Sequence, residues 1–216
     1  MKSSLFLIFL ANIIFHANFV FSQTKLDPIR KFGYVNEKGE LVIDFKYDEA
    51  YIFIEGYAKV LNNELFNFID SSGNEISDVW FEYAWSFSHQ LALVKLHNKY
   101  GFVNTSGKIG IPLDYEQGFS FNEGMAAMKK EGKYGYIDTK NSIVIPFVYE
   151  DAKSFQENLA LVKKDGLWGF VNDKNEVVID FQFDWAKPFF EGMALVEFAG
   201  VKFYIDKTGT CVKNCN

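Results

Sequence analysis

A chain of 216 residues, 18% of them aromatic, carries enough apolar surface for one domain or a short repeat array, which excludes a disordered polymer. Its formal net charge of -6 is spread as mixed Lys, Glu and Asp. No basic stripe is present to follow a phosphate backbone, and nucleic acid is not an expected partner.

The first element in chain order is a leader. Lys2 precedes a mostly apolar run from Leu5 to Phe21, and Val20-Phe21-Ser22 stands ahead of Gln23. Small residues at the -3 and -1 positions predict a secretory signal peptide over residues 1–22, with the mature chain starting at Gln23. An uncleaved anchor would need about 20 predominantly apolar residues, and Asn12, His16 and Asn18 interrupt this run. No later apolar run is long enough to cross a bilayer, so no membrane span is expected after signal removal. Residues 23–30 form a short lead-in.

From 31 to 213 the chain repeats itself. Tyr34, Phe68, Phe102, Tyr136, Phe170 and Tyr204 are 34 residues apart without insertion or deletion. Phe53, Phe87, Phe121, Phe155 and Phe189 form a second column, and Asp48, Glu82, Glu116, Glu150 and Asp184 a third. A carboxylate copied five times at equal spacing points to structure in preference to catalysis.

Turn chemistry defines the unit. Asn36, Asp70, Asn104, Asp138, Asn172 and Asp206 each stand three residues before a Gly or Asn, the pattern of a type I turn closed by a positive-φ bulge residue. Glu131-Gly132 and Asp165-Gly166 read as two-residue hairpin loops. In "VVIDFQFD", Val177, Ile179, Phe181 and Phe183 alternate with Val178, Asp180, Gln182 and Asp184. The prediction is an all-β fold of tandem 34-residue repeats, each a three-stranded antiparallel meander, with about five full repeats and partial ends. One unit cannot bury enough apolar surface to offset its backbone entropy, so neighbours must stack. Three strands per unit favour an open curved array over the alternative, a closed propeller-like ring, whose blades have four. Gly33, Gly101, Gly135 and Gly169 fall mid-strand, where glycine signals close approach of another backbone or a ring. Pro112 and Pro146, in the third strand, mark an edge or a bulge.

The tail, 214–216, follows Cys211 and includes Cys215, the two cysteines of the chain. They read as a terminal clip or as two unpaired thiols. A straight strand would hold them about 13 Å apart, so bonding requires the chain to turn.

These residues resemble the WG-repeat family, also called KWG repeats. Trp168-Gly169-Phe170-Val171-Asn172 is the fullest first half of the motif. Ile143-Val144-Ile145-Pro146 with Tyr149-Glu150, Ala152, Phe155, Glu157, Leu159 and Ala160 is the best second half. Tyr or Phe replaces Trp in four other copies, Asn67 replaces one glycine, and Lys202-Phe203 breaks the last copy. The resemblance implies a β-rich repeat region and supplies no catalytic residues to carry over.

Chemistry is sparse. After the leader only His89 and His97 remain, and neither belongs to a Ser/His/Asp or metal-ligand arrangement. Asp44, Asp78 and Asp180 make no dense calcium loop, and no glycine loop precedes a helix to hold phosphate. Catalytic, cofactor and metal sites are therefore not expected. Copies differ most in "WFEYAWSFSH", where Trp80 occupies a column otherwise filled by Lys46, Asp114, Val148 and Gln182. That column should point outward, and Trp80, Tyr83 and Trp85 form the candidate binding patch. The expected function is a noncatalytic scaffold for protein–protein interaction outside the cytoplasm, in the periplasm or secreted. A carbohydrate-binding module is the alternative, and a hydrolase with carboxylates between repeats comes last. The partner is thus an unidentified protein or glycan.

Overall fold

The computed structural model describes residues 19–22 and 31–215. Most of the expected leader, the lead-in at 23–30 and Asn216 lie outside the described residues. Among the described residues all regular structure is β, arranged as six antiparallel sheets in sequence order. The first sheet holds β1 (Phe19–Ser22), β2 (Phe32–Val35) and β3 (Leu41–Tyr47), and the second β4 (Glu49–Ile54), β5 (Tyr57–Asn62) and β6 (Leu65–Ile69). The third holds β7 (Tyr83–Ala84), β8 (Leu91–Leu96), β9 (Lys99–Asn104) and β10 (Ile109–Tyr115). The fourth comprises β11 (Gln117–Gly118), β12 (Met125–Lys130), β13 (Lys133–Asp138) and β14 (Ile143–Tyr149). The fifth comprises β15 (Asp151–Ala152), β16 (Ala160–Lys164), β17 (Leu167–Val171) and β18 (Val177–Phe183). The sixth is β19 (Trp185–Ala186), β20 (Ala194–Phe198), β21 (Val201–Ile205) and β22 (Cys211–Lys213).

The predicted meander is present, and in the last four sheets a two-residue strand from the link joins its edge. Close strand contacts between sheets join neighbours in sequence, and among the described residues no sheet closes on itself, which is an open repeat array. The first sheet takes β1 from the end of the expected leader, with Phe19 opposite Val35 and Ser22 opposite Phe32.

Each repeated column has a structural task. At all six first turns the Asn or Asp carbonyl accepts the N–H of the residue three further on; for example, Asn175 N–H donates to Asn172 at 3.0 Å. Asn141 and Asn175 take φ of 66° and 63° there, as the bulge requires. The acidic column caps the tight hairpins. Asp48 accepts from Asn63 N–H at 2.8 Å, Glu82 from His97 at 2.8 Å, Glu116 from Gly132 at 3.1 Å, Glu150 from Gly166 at 3.1 Å and Asp184 from Ala199 at 2.8 Å. Both residues of those turns have positive φ, leaving N–H groups aimed outward for a carboxylate.

Repeats interlock through rings. At five successive junctions the aromatic column of one repeat meets the phenylalanine column of the next link: Tyr34–Phe53, Phe68–Phe87, Phe102–Phe121, Tyr136–Phe155 and Phe170–Phe189 have centroids 4.7–5.1 Å apart. A second chain of contacts runs outside them. Glu55 accepts from His89 and Gln90 N–H at 3.0 and 2.8 Å, Glu123 from Glu157 and Asn158 at 2.7 and 2.9 Å, and Glu157 from Gly192 at 3.1 Å. His89 stands where this column otherwise has Glu, and its Nε2 accepts Gly124 N–H at 3.2 Å.

The mid-strand glycines hold their place for the reason predicted. A Cβ on Gly33, Gly101, Gly135 or Gly169 would lie 2.3, 2.5, 2.6 or 2.8 Å from a carbonyl oxygen of the third strand. That strand crosses close because it is bulged, and in β10 and β14 it carries Pro112 and Pro146 on the sheet edge. Two repeats lack the glycine and show the consequence. Asn67 is buried, donating to Ser77 O at 2.9 Å and accepting Phe68 N–H at 2.7 Å; its repeat has isolated bridges at Phe81 and Glu75 in place of a third strand. Phe203 stands in the glycine position of the last sheet, whose third strand is the three-residue β22. Its ring packs on Phe183 at 6.4 Å, the contact that Phe147 makes with Tyr115 and Phe181 with Tyr149 from the following repeat at 6.1 and 6.2 Å. Phe203 therefore fills from the second strand of its sheet the hollow that a third-strand ring of the following sheet fills elsewhere.

Cys211 and Cys215 are joined in a disulfide with Cα atoms 5.9 Å apart. The required turn is made at Asn214, whose φ is 59°.

Candidate functional site

The short edge strands β7, β11 and β15 run along one border of three successive sheets. Beside them lies a groove of about 340 Å³ lined by Tyr83, Trp85, Gln117, Phe119, Asp151 and Lys153, with Tyr100, Tyr134 and Gly118 beneath. Successive repeats contribute the same two link columns, so Tyr83 is followed by Gln117 and Asp151, and Trp85 by Phe119 and Lys153.

The structure brings Tyr83 and Trp85 together, edge to face with centroids 5.8 Å apart, and leaves them 38% and 49% exposed. Trp80 does not join them. The expected outward column depends on a regular third strand, and the second repeat has none because Asn67 occupies its path. The chain folds Trp80 back against the first core, the cluster that holds Tyr34, Ile43, Tyr47, Ala58, Val60 and Ile69. The patch is therefore two rings of the three, extended by residues of the next two repeats.

A lysine braces the wall. Lys59 Nζ lies 4.1 Å from the Tyr51 ring centroid and 4.9 Å from that of Phe66, and donates to Ala84 O at 3.0 Å. Burial holds its ammonium below the usual lysine range. Phe66 in turn meets Tyr83 edge-on at 6.2 Å. On the opposite side Tyr134 donates its hydroxyl to Gln117 Oε1 at 2.5 Å, and burial pushes that phenol up, keeping the proton on the donor. Asp151 Oδ1 accepts from Lys153 Nζ at 3.0 Å and from Ala152 N–H at 2.7 Å. Gln117, Phe119, Asp151 and Lys153 escaped the sequence reading, although the signal was present one and two periods after Tyr83 and Trp85.

The groove offers stacking faces and hydrogen bonds without a nucleophile–base pair among its lining residues. Among the described residues no group of three or more His, Cys, Asp or Glu could hold a metal ion, and no helix is long and apolar enough to cross a membrane.

Stacked meanders, a laterally extended groove and repeated structural carboxylates define a β-repeat scaffold. The comparisons give its family. Five tandem matches to the WG containing repeat cover residues 32–66, 68–100, 100–134, 134–168 and 168–200, and the chain belongs to that family. No curated protein matches it by sequence. Among solved structures it is similar to a eukaryotic initiation factor, at 13% identity and a TM-score of 0.55, over 91% of this chain and 62% of that one. Hsv2 of Kluyvelomyces marxianus is similar at 10% identity and a TM-score of 0.50, over 83% of this chain and 67% of the other. Identities this low show a shared fold alone.

Proposed function

We propose that this chain is a noncatalytic repeat scaffold that acts outside the cytoplasm and holds a partner protein along the link-strand groove. The observation that carries the reading is the pair of exposed rings, Tyr83 and Trp85, at the head of a groove spanning three repeats. Exposed aromatic rings rimmed by polar groups mark recognition surfaces. The Cys211–Cys215 disulfide supports an oxidising compartment, as does the leader pattern of residues 1–22.

The test is affinity capture from the envelope and medium of the native cell, with wild type, Trp85→Ala and Lys174→Ala as baits. A protein retained by wild type and Lys174→Ala but lost from Trp85→Ala is the expected result. Identical capture by all three baits would remove the groove from the account. Mass spectrometry of the exported protein tests the compartment, with Gln23 as the expected first residue.

A further inference from the structure

We infer that the centre of this groove is a subsite for a pyranose ring, carried either by a free oligosaccharide or by a glycan on a partner protein. The inference rests on the reading of the groove as the binding surface and names the chemistry it takes.

The first argument is which rings are already occupied. Along this border of the array several aromatic rings have a cation of the chain over them. Lys59 covers Tyr51 and Phe66, Lys95 lies over Tyr100, and Lys129 over Tyr134. Lys153 and Lys163 flank Trp168, and Lys187 and Lys202 flank Trp185. Among the described residues no such lysine stands over Tyr83 or Trp85, the two rings at the mouth of the groove. The two rings meet each other edge to face, and the part of each left exposed is open to a flat apolar surface, which the C–H side of a pyranose provides.

Charge supplies the second argument. Asp151 is matched by Lys153 at 3.0 Å, so the floor is locally neutral and draws neither a cationic nor an anionic ligand strongly. What remains is directional. The second oxygen of Asp151 is an acceptor, and the Gln117 amide nitrogen and Lys153 are donors, since Tyr134 occupies only the Gln117 oxygen. Acceptor and donors on one side of an aromatic platform match the vicinal hydroxyls at a sugar edge. A groove of about 340 Å³ sits at the lower end of small-ligand sites.

Calorimetry and saturation-transfer NMR with methyl pyranosides of glucose, galactose, mannose and N-acetylglucosamine, and with cellotetraose, maltotetraose and chitotetraose, test this directly. At least one tetrasaccharide should bind with a Kd on the order of 1 mM or tighter. Trp85→Ala and Asp151→Asn should each weaken it at least about tenfold, with unchanged circular dichroism. No binding by any probe, or binding indifferent to both variants, overturns the free-oligosaccharide source. A photo-crosslinking phenylalanine at position 83, irradiated in the native envelope, separates the remaining cases. An adduct lost after glycosidase treatment places the sugar on a protein. An adduct that survives it, without oligosaccharide binding, overturns the sugar and leaves the groove standing. Neither adduct nor binding overturns both.

Discussion

Replacing Gly135 by alanine isolates the contact on which the meander depends. The new Cβ would sit 2.6 Å from Ile145 O and 2.9 Å from Phe147 N and Pro146 C, where carbon contacts normally lie at about 3.5 Å or more. All three neighbours are backbone, so β14 must retreat by more than about half an ångström. Overpacking of this kind costs about 1–3 kcal/mol. The retreat also stretches the ladder between Tyr136 and Ile145 and between Tyr134 and Tyr149, worth about 1 kcal/mol for each bond lost. The total is about 2–4 kcal/mol, a fall in Tm of roughly 5 to 15 °C for a domain of this size. Calorimetry measures the shift, and hydrogen exchange should show the lost protection concentrated in β14. A variant within about 0.5 kcal/mol of wild type, with β14 protection unchanged, would refute the close-approach account of the motif glycine.

Other perturbations follow from the columns. Tyr115 and Tyr149 donate to Asn141 and Asn175 at 2.6 Å, whereas the buried Tyr47 hydroxyl has no partner among the described residues, because Gly73 stands where those repeats place Asn. Tyr47→Phe should therefore stabilise by about 1 kcal/mol and Tyr115→Phe destabilise by a similar amount, opposite signs for one chemical change in a urea titration. His89→Glu restores a carboxylate to the turn-to-turn column, and chemical denaturation should show a gain of up to about 1 kcal/mol. Cys211→Ser with Cys215→Ser opens a loop between residues four apart; the loop-entropy relation gives a loss of about 2 kcal/mol, read in urea midpoint and in faster exchange at β22. Hydrogen bonding from Lys31, and then from Asn63 N–H, holds the Asp48 carboxyl below the usual range. Lys130 does the same for Asp114, and Lys207 with Gly192 N–H for Glu157. Groups with lowered folded-state values stabilise above their unfolded values and lose that contribution as pH falls through the folded ones. The urea midpoint should thus be flat from pH 7 to about 5 and decline below about pH 4.

Most of the fold was legible because turns, glycines and ring columns are local signals copied at a constant spacing. The acidic column read correctly as structural, yet its task as a hairpin cap joins Asp48 to Asn63 across two strands and became visible only with the pairing. Trp80 misled for a physical reason: alternation assigns a side only where a strand exists, and Asn67, thirteen residues earlier, had removed it. The groove was half legible. Tyr83 and Trp85 were picked out as rings close in sequence to Trp80, the residue that departs from its column, while Gln117 and Asp151 look like ordinary surface residues until the edge strands set them beside those rings. Phe203 read as decay of the motif, and the structure makes it a plug.

The unchanging spacing has a consequence for how such a protein can be edited. Because the ring pair recurs at every seam, excision of residues 106–139 would rejoin the chain between equivalent positions and present each surviving neighbour with a familiar mate. The same cut would discard Gln117 and Phe119 and set Asp151 and Lys153 directly after Tyr83 and Trp85. Length and recognition are thus separable here: whole modules can be dropped while the fold persists, and each choice writes a different sequence of side chains along the rim.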